Sequence, residues 1–195
     1  MATGELFAQG GRAQWTLEEA RAWQQRVGVI KGFNQPMPPY PGFTDKEIFK
    51  KAAELGFNSC RFWGRGGANA DEAIAYIRQL EADAAPFGIT LSPVLLAYPT
   101  LCKGKPTPES EAKCKAYVQK VVGAFADDPH IIMWDVWNEP ILKDCPQFDE
   151  EMEWITKMVQ WCREVSPQQA ITASLIWDYY EKEGKGIELP FPKLF

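Results

Sequence analysis

The chain has 195 residues, 46% of them hydrophobic and 24% charged, with a formal net charge of -5 and a pI near 5.1. That size and balance suit one globular domain over residues 1–195, and the acidic charge supplies no basic footprint for nucleic acid. No apolar run approaches the ~18 residues of a membrane span, so neither nucleic acid nor a membrane is an expected partner.

In chain order, Met1-Ala2-Thr3-Gly4-Glu5-Leu6-Phe7 has no basic stretch leading into an apolar one, so no signal peptide is read there. Residues 1–14 precede the first helix signal and are expected to be disordered. Thr16-Leu17-Glu18-Glu19 then fits a capping box, in which the cap oxygen and the third-residue Glu satisfy each other's orphan N–H groups. An apolar run at 28–33 reads as the first strand and leads into Asn34. Thr44-Asp45-Lys46-Glu47 starts a second helix with Ile48, Phe49, Ala52 and Leu55 on one face, and Gly56 stops it. A second strand follows at 57–63, then a glycine cluster at Gly64-Arg65-Gly66-Gly67 that reads as a turn.

Asn69-Ala70-Asp71-Glu72 opens a third helix with the stripe Ala73, Ile74, Ile77, Leu80 and Ala84, and Gly88 feeds a strand at 89–96. Thr107-Pro108 is a cap followed by proline at the first helical position, ahead of Tyr117, Val118, Val121, Val122 and Phe125. A strand at 131–137, a helix marked by Met152, Ile155, Val159 and Cys162, and a strand at 171–177 complete the rhythm. Residues 179–195 are polar and punctuated by glycine, and read as an irregular tail.

Strands this apolar are expected to be covered on both faces, hence parallel, and strand and helix alternate five times, so the fold class is α/β. Two architectures compete. An open doubly wound sheet would be complete with five strands, but it needs a glycine fingerprint after the first strand, where this chain has Asn34-Gln35-Pro36-Met37-Pro38-Pro39. A (β/α)8 TIM barrel needs ~250 residues, so this chain would hold about five of its β/α units.

Chemistry in a barrel collects at the carboxyl ends of the strands. Those positions carry Asn34, Arg61 and Trp63, Tyr98, Asn138 and Glu139, and Trp177 with Asp178. Each alone is what a polar loop start would show; together they offer a hydrogen-bonding group or a sugar-stacking ring at every end. Glu139 precedes Pro140, which disfavours helical geometry and predicts an extended residue. An apolar wall there would disfavour the charged form, leaving a proton for a glycosidic oxygen. Asn138 and Glu139 are adjacent, so both reach one substrate only if the strand bulges or ends there. Arg61 shares a face with Ser59 and Trp63 and needs a carboxylate opposite it, for which Asp135 is one candidate.

His130 is the one histidine, at the other end of its strand with no second His or Cys near it in sequence, and reads as a satisfied loop residue. Five dispersed cysteines (Cys60, Cys102, Cys114, Cys145, Cys162) fit neither a disulfide framework nor a zinc site. Cys102 and Cys114 flank one loop and could pair in an oxidising compartment, though free thiols are the expectation. No metal or organic cofactor is implied.

The stretch Trp134-Asp135-Val136-Trp137-Asn138-Glu139-Pro140 resembles the strand-four signature of clan A glycoside hydrolases, the retaining (β/α)8 enzymes of family 5 and relatives, including bacterial cellulase-like and 1,4-β-xylanase-type proteins. Gly32-Phe33-Asn34, Leu55-Gly56-Phe57-Asn58-Ser59-Cys60-Arg61, Phe125-Ala126-Asp127-Asp128-Pro129 and Trp161-Cys162-Arg163-Glu164-Val165-Ser166-Pro167 are similar to other segments of that family, and the likeness runs from about residue 15 to residue 178. It implies a retaining hydrolase of β-linked glucan, mannan or xylan, secreted or periplasmic. Glu139 would be the acid/base, Asn138 would bond the sugar 2-hydroxyl, and Arg61 would hold the nucleophile carboxylate. Asn34, Trp63, Tyr98, Trp137 and Trp177 would bind substrate. The family's nucleophile is a Glu ending strand seven, and no strand pattern surrounds Glu181, Glu183 or Glu188, so a C-terminal barrel half is the expected missing partner and these residues alone are expected to be inactive. The alternatives are a non-catalytic carbohydrate-binding or scaffold protein with a degenerate barrel, or an open nucleotide-binding sheet, which the absence of a phosphate loop disfavours.

Overall fold

Helix starts in the computed structural model follow the capping residues. The structure describes residues 15–35, 41–64, 69–95, 102, 104–140, 147–165 and 168–174. Thr16 caps α1 (Leu17–Val27) and Thr44 caps α2 (Asp45–Glu54), both with the full reciprocal box to Glu19 and Glu47. Asn69 caps α3 (Ala70–Ala84) by accepting from the Asp71 and Glu72 amides, but its side-chain amide, not its backbone, meets Glu72. Thr107 caps α4 (Pro108–Gly123), with Ser110 closing a box in place of the usual Glu. Among the described residues no side chain caps α5 (Phe148–Glu164), in keeping with the lack of a capping signal at its start. Gly88, at φ 67°, ends the short 3-10 turn after α3 in the left-handed conformation that glycine adopts without steric cost.

Five parallel strands alternate with these helices: β1 (Gly32–Gln35), β2 (Ser59–Trp63), β3 (Thr90–Val94), β4 (Met133–Asn138) and β5 (Ala170–Ser174). Their order in the sheet is their order in the chain. A doubly wound sheet reverses direction at a switch point; here each crossover steps the same way, as in a barrel wall. Right-handed crossovers that never reverse lay the helices on one face, and α2 through α5 accordingly pack each against the next. The fold is thus α/β, with five β/α units of the barrel type. Residues 1–14 and 179–195, expected to be disordered and irregular, lie outside the described residues.

Alternation along each strand separates two environments. Cys60, Phe62, Leu91, Trp134 and Val136 point to the helices and join Phe49, Ile77, Leu80, Val118, Val121, Trp154 and Met158 in one core. A buried side chain of this size contributes roughly 1.5–3 kcal/mol over its exposed state. The opposite, inner face is polar along rows set by register: Asn34 lies beside Arg61 and Arg61 beside Ser92, then Asp135 beside Thr172. β3 and β4 pair sparsely, because Pro93 has no N–H to donate between the bonds that Leu91 and Leu95 make to His130 and Asp135. α1 buries no residue fully and lies by the amino ends of the strands, where Trp23, Arg26 and Ile30 share a cleft with Thr90, Ile132 and Gln169.

Candidate active site

The carboxyl ends of β1, β2, β4 and β5 converge on Arg61. Its side chain is 22% exposed; Nε donates at 2.8 Å to one oxygen of Asp135, whose side chain is 2% exposed, and Nη2 lies 2.7 Å from the same oxygen. Nη2 also donates to Asn138 Oδ1 at 2.7 Å, and Nη1 reaches Asn34 Oδ1 at 3.4 Å. The guanidinium lies 5.1 Å from the centre of the Trp63 ring, within cation–π range. β2 is an inner strand, so Arg61 points across the sheet rather than off an edge. The carboxylate that a buried guanidinium requires is Asp135, on the strand after next.

Asp135 is fully engaged. Beyond Arg61, the Ser174 hydroxyl donates a short hydrogen bond to the same Asp135 oxygen, while the Trp137 and Ser174 amides donate to the other at 3.3 Å each. Ser174 has no counterpart among the site residues read from sequence. The available signal was its place on β5, where Thr172 and Ser174 put hydroxyls at every second position of an otherwise apolar strand.

β4 and β5 lose register between Asp135 and Asn138. This irregularity lets Asn138 turn its side chain to the same guanidinium as Asp135, three residues earlier, which strict alternation would forbid. Glu139 itself corrects the sequence expectation. It is not extended: its φ is 50°, a left-handed value held while its amide donates to Ser174 O at 2.8 Å. The preference imposed by Pro140 yields to that bond and to the bulge before it. Nor do the described residues build an apolar wall here, because Glu139 is exposed.

Trp63 is half-buried beside Arg61, whereas Trp137 is 5% exposed within the core, so little of its ring is open. Asn34 stands exposed at the end of β1. Tyr98 and Trp177 lie outside the described residues. Of the two carboxylates at the end of β4, Glu139 is exposed, whereas Asp135 is buried and engaged.

At the opposite end, His130 has more company than its sequence context suggests. Its Nδ1 lies 3.3 Å from Glu81 and 3.4 Å from Asp128, and the three could in principle gather a cation. Arg78 already supplies that charge, bridging Glu81 at 2.8 Å and Asp128 at 2.5 Å.

No protein-family model and no curated protein matches the sequence. Solved structures do. The exo-beta-1,4-mannosidase Op5Man5 from Opitutaceae bacterium strain TAV5 superposes with a TM-score of 0.59 at 21% identity, over 76% of this chain and 32% of that one. GH5_18 from Streptomyces cattleya in complex with GlcNAc gives 0.56 at 16%, over 67% and 38%, and endo-glycoceramidase II from Rhodococcus sp. gives 0.56 at 15%, over 73% and 47%. These likenesses show the fold, a (β/α) barrel whose wall this chain builds in part. The chain spans 32% to 47% of the length of those three proteins. Within such a barrel, the Arg61 cluster stands at the end of the strands where βα loops build active sites.

Proposed function

We propose that this chain is the acid/base-bearing part of a retaining β-glycoside hydrolase acting on β-linked poly- or oligosaccharide of the glucan, mannan or xylan type. The observation that carries the reading is an exposed Glu139 at the end of β4, directly after Asn138, whose side chain meets the guanidinium fixed by Asp135. Glu139 gives its proton to the departing glycosidic oxygen and later removes one from the attacking water. Asn138 offers its amide hydrogens to the sugar 2-hydroxyl while its oxygen is occupied by Arg61. Trp63 presents a stacking face to the sugar ring, joined by Tyr98 and Trp177, and Trp137 backs the site from the core.

Double displacement also needs a nucleophile carboxyl ~5–5.5 Å from the first. Asp135 is buried and committed to Arg61 and Ser174, so the nucleophile comes from a strand beyond the five described, within reach of the remaining donors of Arg61. The 195 residues alone then turn over little or no substrate. The test is hydrolysis of aryl β-glycosides by this chain and by the same chain supplied with the following barrel strands. Activity confined to the longer protein and lost in Glu139→Gln supports the reading; turnover that Glu139→Gln leaves unchanged refutes it and favours carbohydrate binding without catalysis.

A further inference from the structure

Four cysteines fall among the described residues, all buried and all free thiols in this structure. Cys60 lies against Gln35 Oε1 at 3.8 Å, and burial pushes its thiol up to about 12. Cys102 and Cys114 are placed differently. Cys102 is in the connection between β3 and α4, Cys114 is on the second turn of α4, and their sulfurs face each other at 2.7 Å. That is closer than two unbonded sulfurs rest without repulsion and longer than the ~2.05 Å of a disulfide. The pair is 3% and 0% exposed inside the core.

We propose that Cys102 and Cys114 form an intrachain disulfide that ties the β3–α4 connection to α4 beside the mouth of the barrel. The connection is held on either side of this point: Tyr117 on α4 donates to Leu95 O at 3.4 Å, and Trp154 Nε1 on α5 donates to Gly104 O at 2.7 Å. The bond supplies the anchor between them, on the segment that carries Tyr98 in sequence. The inference stands independently of the glycosidase reading.

The contact with Cys114 and then burial push the Cys102 thiol far up, so the bond forms while the segment is still open during folding. One cysteine thiolate attacks a small-molecule disulfide such as oxidised glutathione, expelling one thiol and leaving a mixed disulfide. The second cysteine displaces the other thiol, so that the pair loses two electrons and two protons and the glutathione disulfide is reduced to two thiols. A bond buried this way persists in an oxidising compartment.

The test uses the intact chain expressed into an oxidising compartment, alkylated in denaturant and mapped with trypsin without reduction. The expected result leaves Cys60, Cys145 and Cys162 alkylated and joins the Cys102 peptide to the Cys114 peptide. The oxidised protein should melt about 5 °C or more above the same protein after reduction, and trypsin should cut after Lys103 roughly tenfold more slowly before reduction than after it. Alkylation of all five cysteines, a bond to any other cysteine, or equal melting temperatures would overturn the proposal.

Discussion

Arg61 on β2 and Asp135 on β4 are joined through a single carboxylate oxygen, with Nε at 2.8 Å and Nη2 at 2.7 Å, across the strand between them. With Asp135 wholly buried and Arg61 mostly so, the pair fixes the guanidinium before any ligand arrives. Removing one partner leaves the other charge uncompensated, which typically costs about 3–5 kcal/mol. Asp135→Ala should therefore lower stability by about 3 kcal/mol, read as a fall in the urea midpoint. A loss under about 1 kcal/mol, the range of exposed ion pairs, would show that the pair is not the organising contact.

Glu139 holds a left-handed φ that a residue with a Cβ adopts at a cost of roughly 1–2 kcal/mol. Glycine escapes that cost but orders a more flexible chain on folding. Glu139→Gly should therefore raise stability by up to about 1 kcal/mol while removing the proposed proton donor. Equilibrium denaturation of the variant decides this: a destabilised Glu139→Gly protein would mean that the conformation carries no strain.

Acid should loosen the opposite end of the sheet. Burial alone would raise the Asp128 carboxyl, but the His130 amide and the Arg78 guanidinium outweigh it and hold the group below the usual Asp range. A depressed folded-state value contributes stability that is fully present above the unfolded value, near 3.9, and disappears as pH falls through the folded value. Urea midpoints measured from pH 5 downward should thus decline below about pH 4, and Asp128→Asn should decline less steeply. Parallel curves would place the acid sensitivity elsewhere.

Much of this architecture was legible in the residues. Capping at Thr16, Thr44 and Thr107 is local chemistry, and each begins its helix. Parity along β2 put Ser59, Arg61 and Trp63 on one face, and the need of a guanidinium for a carboxylate made Asp135 one candidate, with a carboxylate from outside these residues the other. What could not be read depends on register between strands far apart in sequence. The β4–β5 irregularity, the capture of the Glu139 amide by Ser174 O and the resulting left-handed φ arise only once β5 is in place. Local preference, imposed by Pro140, pointed the other way. Likewise the tryptophans of 134–137 look alike in sequence, and only packing sends both Trp134 and Trp137 into the core while Trp63 stays half open.

The role of Glu139 is tested most directly by azide rescue of Glu139→Ala in the chain supplied with the remaining barrel strands. With an activated aryl β-glycoside, the first step needs little protonation, and azide can replace the water that Glu139 would activate. The account predicts loss of hydrolysis on replacement, recovery on adding azide, and a glycosyl azide product of retained β configuration. Undiminished hydrolysis by Glu139→Ala, or an α-configured azide, would contradict it.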